Sequence, residues 1–305
     1  MRLPTHVTLK EVGPRDGLQN EATHIATADK VQLVNLLSQT GLSYIEVTSF
    51  VHPKWIPQLA DAVEVLQEIK RHKDITYAAL VPNMHGLERA LQADVDEVNV
   101  FMSASESHNQ NNINKTIDAT FPILEEVVIG AKAANKTVRG YISTVIGCPY
   151  EGYIEPEKVL YVTDKLLAMG VDEISLGDTI GVAVPTQVER LLETLLKRYP
   201  AEHFAMHFHD TRGTALANIM QSMEMGITKF DSALGGLGGC PYAKGASGNV
   251  ATEDLLYLLD GMDIHTGIDL QKMLEAAQFI EQIVGKALPS KQMAILRNEK
   301  EETTS

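Results

Sequence analysis

Two histidines separated by one residue stand at the end of an apolar segment, HFAMHFHD, at positions 203–210. Alternate side chains of a β-strand lie on the same face. His207 and His209 would therefore share one face, and Phe204, Met206 and Phe208 would share the other. Two neighbouring imidazoles can bind one divalent metal ion. Two histidines that only form hydrogen bonds beside a loop would show the same pattern. The pair alone therefore does not distinguish a metal site from a structural pair.

A carboxylate from another part of the chain would complete a metal site with nitrogen and oxygen ligands, and Asp16 is our candidate. Such sites suit Mg²⁺, Mn²⁺, Fe²⁺ or Zn²⁺, and the absence of a cysteine beside the histidines disfavours structural zinc. Arg15 offers a permanently charged, planar set of donors that suits an enolate or a carboxylate. Its structural alternative is a salt bridge to Glu46. Asp210 has the opposite strand parity, and we expect it to cap the next helix.

Cys240 lies in a glycine-rich segment, residues 235–249, which contains glycines at 235, 236, 238, 239, 245 and 248. So many glycines predict a mobile loop that closes over a ligand. Most isolated cysteines are inert, but one in a loop over a metal site is a candidate for acid–base or nucleophilic chemistry. Cys148 is a weaker candidate. The glycines do not form a dinucleotide-binding motif in its usual context.

The elements that must position these residues alternate between strand-like and helix-like segments. The sequence predicts eight strands: Val7–Val12, Tyr44–Thr48, Ile75–Val81, Glu97–Met102, Thr137–Thr144, Glu173–Gly177, Phe204–His209 and Lys229–Ala233. It predicts six helices between them: Thr27–Thr40, Pro57–Lys70, Thr116–Ala134, Pro156–Met169, Pro185–Lys197 and Arg212–Met225. This order predicts an α/β fold, a (β/α)8 TIM barrel, with a doubly wound open sheet as the alternative.

A barrel of this type takes about 250 residues. We therefore interpret residues 1–305 as a single catalytic domain: a barrel over about 5–250, a C-terminal helical extension over about 251–290, and a frayed tail over 291–305. The extension contains an amphipathic helix, about Asp269–Ala287, that could cover the barrel or contact a second subunit.

Active sites of such barrels lie at the C-terminal ends of the strands, and the chemically capable residues of this chain cluster there. We expect substrate contacts from five residues at four strand ends: Arg15, Thr48, Tyr141, Ser143 and Thr179. This convergence raises the odds that the histidine pair is a metal site rather than a structural feature.

Composition narrows the class of protein. The 305 residues carry a net charge of −14, with no basic block, which argues against a nucleic-acid partner. Two cysteines imply no disulfide framework. We find no transmembrane segment, no secretory or organelle leader and no peroxisomal signal, and we expect a cytoplasmic protein without a membrane partner.

Several segments resemble 3-hydroxy-3-methylglutaryl-CoA (HMG-CoA) lyases of the bacterial type. They occur in the family's order, from about residue 7 to 258, and read VTLKEVGPRDGLQNE, YIEVTSFVHPKWIPQ, SLGDTIG, HFHDTRG and GGLGGCPYAKGASGNVATEDL. The histidine motif alone is less specific, because isopropylmalate and homocitrate synthases carry it too. Those synthases would have an acidic residue at Leu18 and would lack the cysteine loop.

The resemblance implies a metal-dependent retro-Claisen cleavage of HMG-CoA to acetyl-CoA and acetoacetate, as in leucine degradation and ketone-body chemistry. It implies Mg²⁺ or Mn²⁺ as cofactor, with ligands from Asp16, His207, His209 and Asn249. Spacing alone does not indicate Asn249. The catalytic residues that the resemblance implies are Arg15, Asp16, Glu46, Asp178, His207 and Cys240.

Individual roles follow from the same resemblance. Arg15 would stabilise the enolate of acetyl-CoA, and Cys240 would act in proton transfer. Glu46 and Asp178 would support Arg15 and the substrate. His207 would be a ligand first, because a metal-bound imidazole is a poor base, with proton relay as a secondary role. The base that takes the hydroxyl proton stays open.

Three alternatives remain at this point: a lyase for a related 3-hydroxyacyl-CoA, a Claisen-condensing synthase, and a silent metal- or acyl-CoA-binding protein. For the CoA arm, Lys54 and Trp55 are the nearest basic and aromatic candidates. They could equally be an exposed charge and a packing residue. The C-terminal helices lead us to expect a homodimer.

Overall fold

The computed structural model describes residues 3–238 and 248–304, with side chains to residue 299. Eight parallel strands close into a barrel, which confirms the predicted fold, and neighbours around it follow the order β1-β10-β9-β8-β5-β4-β3-β2. Its strands are β1 Thr8–Glu11, β2 Tyr44–Ser49, β3 Thr76–Leu80, β4 Glu97–Ser103, β5 Thr137–Ser143, β8 Glu173–Asp178, β9 Phe204–Phe208 and β10 Lys229–Ser232. A short antiparallel pair, β6 Gly147–Cys148 and β7 Gly152–Tyr153, follows β5.

Helices surround the barrel. Those between its strands are α1 Thr27–Leu37, α2 Ala62–Glu68, α3 Met84–Gln92, α4 Glu106–Ile113, α5 Ile117–Ala133, α6 Pro156–Ala168, α7 Pro185–Leu196 and α8 Ala215–Glu224. After β10 come α9 Thr252–Gly261, α10 Leu270–Val284 and α11 Lys291–Thr304. In the described part of the chain, no helix is long and apolar enough to cross a membrane.

The helices pack on the barrel through apolar stripes at helical spacing. In α7 the buried residues are Val188, Leu191, Leu192 and Leu195. This i, i+3, i+4, i+7 pattern places one face against the strands and leaves the other in solvent. Gly170 and Gly226 follow α6 and α8 with positive φ values of 97° and 93°, as predicted for helix ends.

The inside of the barrel is unusually polar for this fold, whose interior is normally filled by branched aliphatic side chains. Arg139 is fully buried there and pairs with Glu173 and Asp231. Lys10 also binds Glu173, with 2.7 Å between Nζ and Oε1. Charged groups therefore run through the barrel toward the strand ends where the predicted site lies.

Four parts of the sequence prediction differ from the structure. Helices α3 and α4 were not predicted, because α3 contains a glycine and α4 has the polar sequence ESHNQNNI without apolar periodicity. The predicted helix Pro57–Lys70 is a 3-10 turn at Pro57–Leu59 followed by α2. Most of the tail predicted to be frayed forms α11.

Asp254 stabilises the start of α11. Its carboxylate accepts hydrogen bonds from the Ser290 hydroxyl and from the backbone N–H groups of Lys291 and Gln292, all at 2.9 Å. These contacts cap backbone donors that a helix start leaves unpaired. Met293 is fully buried, which attaches the first turn to the rest of the protein.

Candidate active site

A cavity of about 570 Å³ opens at the C-terminal end of the barrel strands. It brings together residues that are far apart in the chain, as the barrel prediction requires. Seven of the predicted site residues line it: Arg15, Asp16, Tyr141, Ser143, Thr179, His207 and His209. Trp55 also lines the rim and is 76% exposed, so it is available to a ligand rather than packed.

Asp16, His207 and His209 form a compact cluster in this cavity. Their ligand atoms all lie within 4.8 Å of one another. Oδ2 of Asp16 is 3.9 Å from Nε2 of each histidine. Asn249 reaches the same oxygen, because its Nδ2 donates to Asp16 Oδ2 at 2.8 Å and its backbone forms a β-bridge with His209.

The electrostatics of the cluster match a divalent cation. Burial alone would raise the pKa of Asp16, but the positive charge of Arg15 and the two imidazoles lower it to about 2. Burial lowers the pKa of His209 to about 4, and His207 contributes to that shift. At neutral pH Asp16 is therefore ionised and His209 neutral, which are the states in which these side chains bind metal.

A single turn of π-helix, Gly13–Gly17, carries Arg15 and Asp16 into the cavity directly after β1. Gly17 is required by close packing, because a Cβ there would lie 2.7 Å from Cβ of Leu237. The turn thus abuts the start of the segment that leads to Asn249.

Arg15 is held by two carboxylates. Its Nε donates to Oε2 of Glu46 at 2.6 Å and its Nη1 to Oδ1 of Asp16 at 2.5 Å. Burial would lower the pKa of the guanidinium, but these two carboxylates hold it well above its usual range. The guanidinium carbon lies 5.3 Å from the ring centroid of Tyr141. Within the described residues its Nη2 has no hydrogen-bond acceptor, so that group is free for a ligand.

Glu46 is completely buried and does not line the cavity. Besides Arg15, it accepts hydrogen bonds from the Tyr141 hydroxyl at 3.2 Å and from Nδ2 of Asn99 at 2.7 Å. With three donors on its two oxygens, Glu46 is arranged to fix Arg15 and Tyr141. The salt bridge considered from the sequence is therefore present, and it orients Arg15 without removing it from the cavity.

Two further predicted site residues, Asp178 and Thr48, do not line the cavity. Asp178 ends β8 on the parity opposite to the cavity-lining Gly177, and its carboxylate accepts hydrogen bonds from Val182 N at 3.1 Å and Ala183 N at 3.0 Å. Burial raises its pKa. The arrangement supports the loop after β8 and places the carboxylate outside the cavity lining.

Thr48 is buried and, like Asp178, does not line the cavity. The pairing of β2 with β3 shifts register between Glu46 and Thr48. Such an irregularity breaks the two-residue alternation on which the prediction for Thr48 rested. Tyr141, Ser143 and Thr179 do line the cavity, as predicted.

The predicted residue Cys240 lies outside the described residues. The two described ends of its segment meet at Gly238 and Gly248, where a Cβ on Gly248 would overlap the carbonyl oxygen of Gly238. Only glycine fits this approach. The contact places both ends beside Asn249, since a Cβ on Gly238 would be 2.7 Å from Nδ2 of Asn249.

Cys148 is buried away from the cavity lining, with its Sγ 3.0 Å from the Ser105 hydroxyl. Asp210 accepts a hydrogen bond from the backbone N–H of Ala215 at 3.0 Å, which confirms the predicted cap of α8. Asp231 was not singled out from the sequence, although it touches the site: its Oδ2 lies 3.1 Å from Nδ1 of His207. Alternation along β10 turns Lys229 and Asp231 to the same side, but a strand of four residues gives only a weak signal in the sequence.

Comparison with known proteins gives consistent matches. A family model described as HMGL-like matches residues 6–280. Hydroxymethylglutaryl-CoA lyase YngG of Bacillus subtilis is 57% identical over 98% of this chain and 100% of the relative. A 3-hydroxy-3-isohexenylglutaryl-CoA/hydroxy-methylglutaryl-CoA lyase of Pseudomonas aeruginosa is 52% identical over 94% of this chain and 96% of the relative.

Solved structures of HMG-CoA lyases are also similar to this chain. The HMG-CoA lyase structure from Bacillus subtilis has a TM-score of 0.96 at 57% identity, covering 97% of this chain and 100% of that one. An HMG-CoA lyase from Acinetobacter baumannii, solved in complex with coenzyme A and 3-methylmalate, has a TM-score of 0.90 at 41% identity. That match covers 95% of each chain.

Proposed function

This chain belongs to the HMGL-like family, and from that premise we propose that it cleaves HMG-CoA to acetyl-CoA and acetoacetate. It is a carbon–carbon lyase. The observation that carries the assignment from this chain's own residues is the position of Arg15, which lies beside the Asp16–His207–His209 cluster in one cavity.

We propose that Asp16, His207, His209 and Asn249 hold a divalent cation, with Mg²⁺ or Mn²⁺ favoured by the oxygen ligands. When bound, such a cation would orient the substrate's tertiary hydroxyl and distal carboxylate and lower the pKa of the hydroxyl. The chain supplies an ionised carboxylate and a neutral imidazole for that ion without a change in their protonation at neutral pH.

In the cleavage, a base takes the hydroxyl proton and the oxygen's electron pair forms the ketone of acetoacetate. The bond between C2 and C3 breaks, its electron pair passes to the thioester as an enolate, and C2 then takes a proton to give acetyl-CoA. Arg15 is fixed by Glu46 in a buried position, and its Nη2 has no acceptor among the described residues, so it can donate to the enolate oxygen without reorganising. We propose Cys240 for proton transfer at C2.

Tyr141, Ser143 and Thr179 line the cavity and are proposed to contact the acyl group. Trp55, at the exposed rim, is the candidate for the CoA arm. We further propose that the whole chain acts as one cytoplasmic catalytic domain, assembles as a homodimer, and serves leucine degradation.

A second candidate substrate has a specific observation in its favour. The Pseudomonas aeruginosa relative, at 52% identity, is named for both an isohexenylglutaryl-CoA and HMG-CoA. In this chain the residues that line the cavity include the apolar Leu80 and Phe101. A longer alkyl group on C3 could pack against such a wall.

A substrate panel tests the assignment. The purified protein would be incubated with Mn²⁺ and a thiol reductant, in parallel with HMG-CoA, with a 3-hydroxyglutaryl-CoA carrying a longer 3-alkyl group, and with acetyl-CoA plus 2-oxo acids. Acetoacetate from HMG-CoA supports the proposal. A preference for the longer substrate would support the second candidate, and release of free CoA in the third mixture alone would indicate a condensing enzyme.

A further inference from the structure

The two histidines of the cluster differ in how their second ring nitrogen is bound. Nδ1 of His207 lies 3.1 Å from Oδ2 of Asp231, inside the barrel. Nδ1 of His209 is buried and has no hydrogen-bond partner among the residues that the structure describes. A carboxylate therefore fixes the orientation of the His207 ring, whereas Nδ1 of His209 has no such partner in the described part of the chain.

Asp231 can only accept a hydrogen bond from His207. Nη2 of Arg139 donates to its Oδ1 at 2.6 Å and Nη1 to its Oδ2 at 3.2 Å, which forms a bidentate pair. The hydroxyl of Ser175 donates to the same Oδ2 at 2.8 Å. Asp231 and Arg139 are almost completely buried, at 1% and 0% exposed. A carboxylate so paired with a guanidinium is an acceptor, so the proton of a neutral His207 belongs on Nδ1.

With its proton on Nδ1, His207 presents a bare Nε2. That atom faces the cluster, 3.9 Å from Oδ2 of Asp16. A carboxylate behind a metal-binding histidine is a recurrent arrangement, which fixes the tautomer and raises the basicity of the ligand atom. Asp231 lies on β10, which pairs with β9. In the register of this pairing, Asp231 is directly opposite His207.

We propose that Asp231 is a positioning residue for His207: it fixes the Nδ1–H tautomer and the ring orientation, and so prepares one side of the metal site before any ion binds. Arg139 and Ser175 hold Asp231 in turn. The inference rests on the proposed function only in taking the cluster as a divalent-metal site.

The first test reads the tautomer in the wild-type protein and needs no change to Asp231. In metal-free protein labelled with ¹⁵N at histidine, the ring nitrogens of His207 report its tautomer, with the signal assigned from a His207→Gln variant. We expect the neutral form of His207 to carry its proton on Nδ1. A neutral His207 with its proton on Nε2 in the wild-type protein overturns the proposal, whether or not Asp231→Asn folds.

The second test uses Mn²⁺ as the probe, with binding measured by electron paramagnetic resonance and calorimetry. Asp231→Asn keeps the shape of the side chain and removes its charge. We expect its Mn²⁺ affinity to fall by about 10- to 100-fold, the usual effect of losing such a partner. Its His207 ring signals should also lose the single wild-type tautomer.

Glu173→Gln is the matched control. Glu173 is also largely buried and binds the same Arg139, with 2.7 Å between Oε1 and Nε, but it does not touch His207. We expect Mn²⁺ affinity within about twofold of wild type, so that an effect of Asp231 is separated from general loss of a buried charge.

The outcomes separate this inference from the proposed function. A folded Asp231→Asn variant with wild-type affinity overturns the inference and leaves the lyase assignment intact. Equal losses in Glu173→Gln and Asp231→Asn would also overturn it, since the effect would then belong to the network as a whole. Wild-type protein that binds no Mn²⁺ contradicts the proposed metal site itself, whereas the tautomer measurement still decides the role of Asp231.

Discussion

Nε of Arg15 donates to Oε2 of Glu46 across 2.6 Å, although 31 residues separate them in the chain. One residue follows β1 and the other lies within β2, and the parallel pairing of these two neighbouring strands brings them together. The pair fixes the guanidinium in the cavity, where Nη2 has no acceptor in the part of the chain that the structure describes. It therefore explains how a flexible side chain becomes a preorganised donor.

Arg15→Gln should lower kcat by about 10²- to 10³-fold, the usual effect of losing one donor to a developing oxyanion. Asp16, His207 and His209 remain in place, so we expect nearly unchanged Mn²⁺ stoichiometry. Steady-state kinetics and Mn²⁺ titration on the same preparation check this. Near-normal kcat would refute the role of Arg15 at the enolate.

Glu46→Gln should lower kcat less, by about 10- to 100-fold, because a charge-assisted hydrogen bond contributes about 1.5–3 kcal/mol and each 1.4 kcal/mol is a factor of about ten. If Glu46 acts through Arg15, adding Glu46→Gln to Arg15→Gln should cost little more. Kinetics of the single and double variants measure that coupling. Fully additive losses would mean that Glu46 has an independent role, such as proton transfer.

His209→Ala should lose most of the Mn²⁺ affinity, because Nε2 of His209 is one of the proposed ligand atoms. His203→Ala is the control: His203 lies just before the other end of β9, half-buried and outside the cavity lining. It should bind Mn²⁺ like wild type. Calorimetry on both variants decides, and intact affinity in folded His209→Ala would remove His209 from the ligand set.

The buried carboxyl of Glu253 should make the free energy of unfolding depend on pH. Burial raises its pKa from 4.5 to about 8, while its oxygens accept the backbone N–H of Gly235. The folded state therefore keeps a proton that the unfolded state releases near pH 4.5. Its contribution is fully present below that pH and is lost as pH rises toward 8, by at most about 1.4 kcal/mol per pH unit.

Glu253→Gln removes this titration, so the free energy of unfolding of wild type should fall relative to the variant as pH rises from 5 to 8. Urea unfolding at several pH values measures the difference between the two curves. Glu64→Gln, on the exposed face of α2, is the control and should run parallel to wild type. Parallel curves for Glu253→Gln would contradict the raised pKa.

The sequence was sufficient for the barrel and for the centre of the site. Strand parity placed His207 and His209 on one face, and closure of a barrel between the first and last strands placed Asp16 beside them. Both inferences depend on regular geometry, which long alternating segments specify well. Asn249 came only from the resemblance, since its approach depends on the close contact of Gly238 with Gly248.

Other residues depended on local detail that a sequence does not display. A register shift interrupts β2 between Glu46 and Thr48, and backbone N–H groups of the loop after β8 bind the carboxylate of Asp178. Asp231 lies in a strand of four residues, which is too short to show alternation convincingly. Its role became visible only when the partners Arg139 and His207 were located around it.

The most direct test of the account is the rate of acetoacetate release from HMG-CoA by EDTA-treated protein before and after Mg²⁺ or Mn²⁺ is added back, with a thiol reductant present throughout. We predict negligible turnover without metal, recovery on addition, and no recovery in folded His209→Ala at the same metal concentration. Turnover that is equal with and without metal, or absent from folded, metal-loaded wild-type protein, would contradict the account.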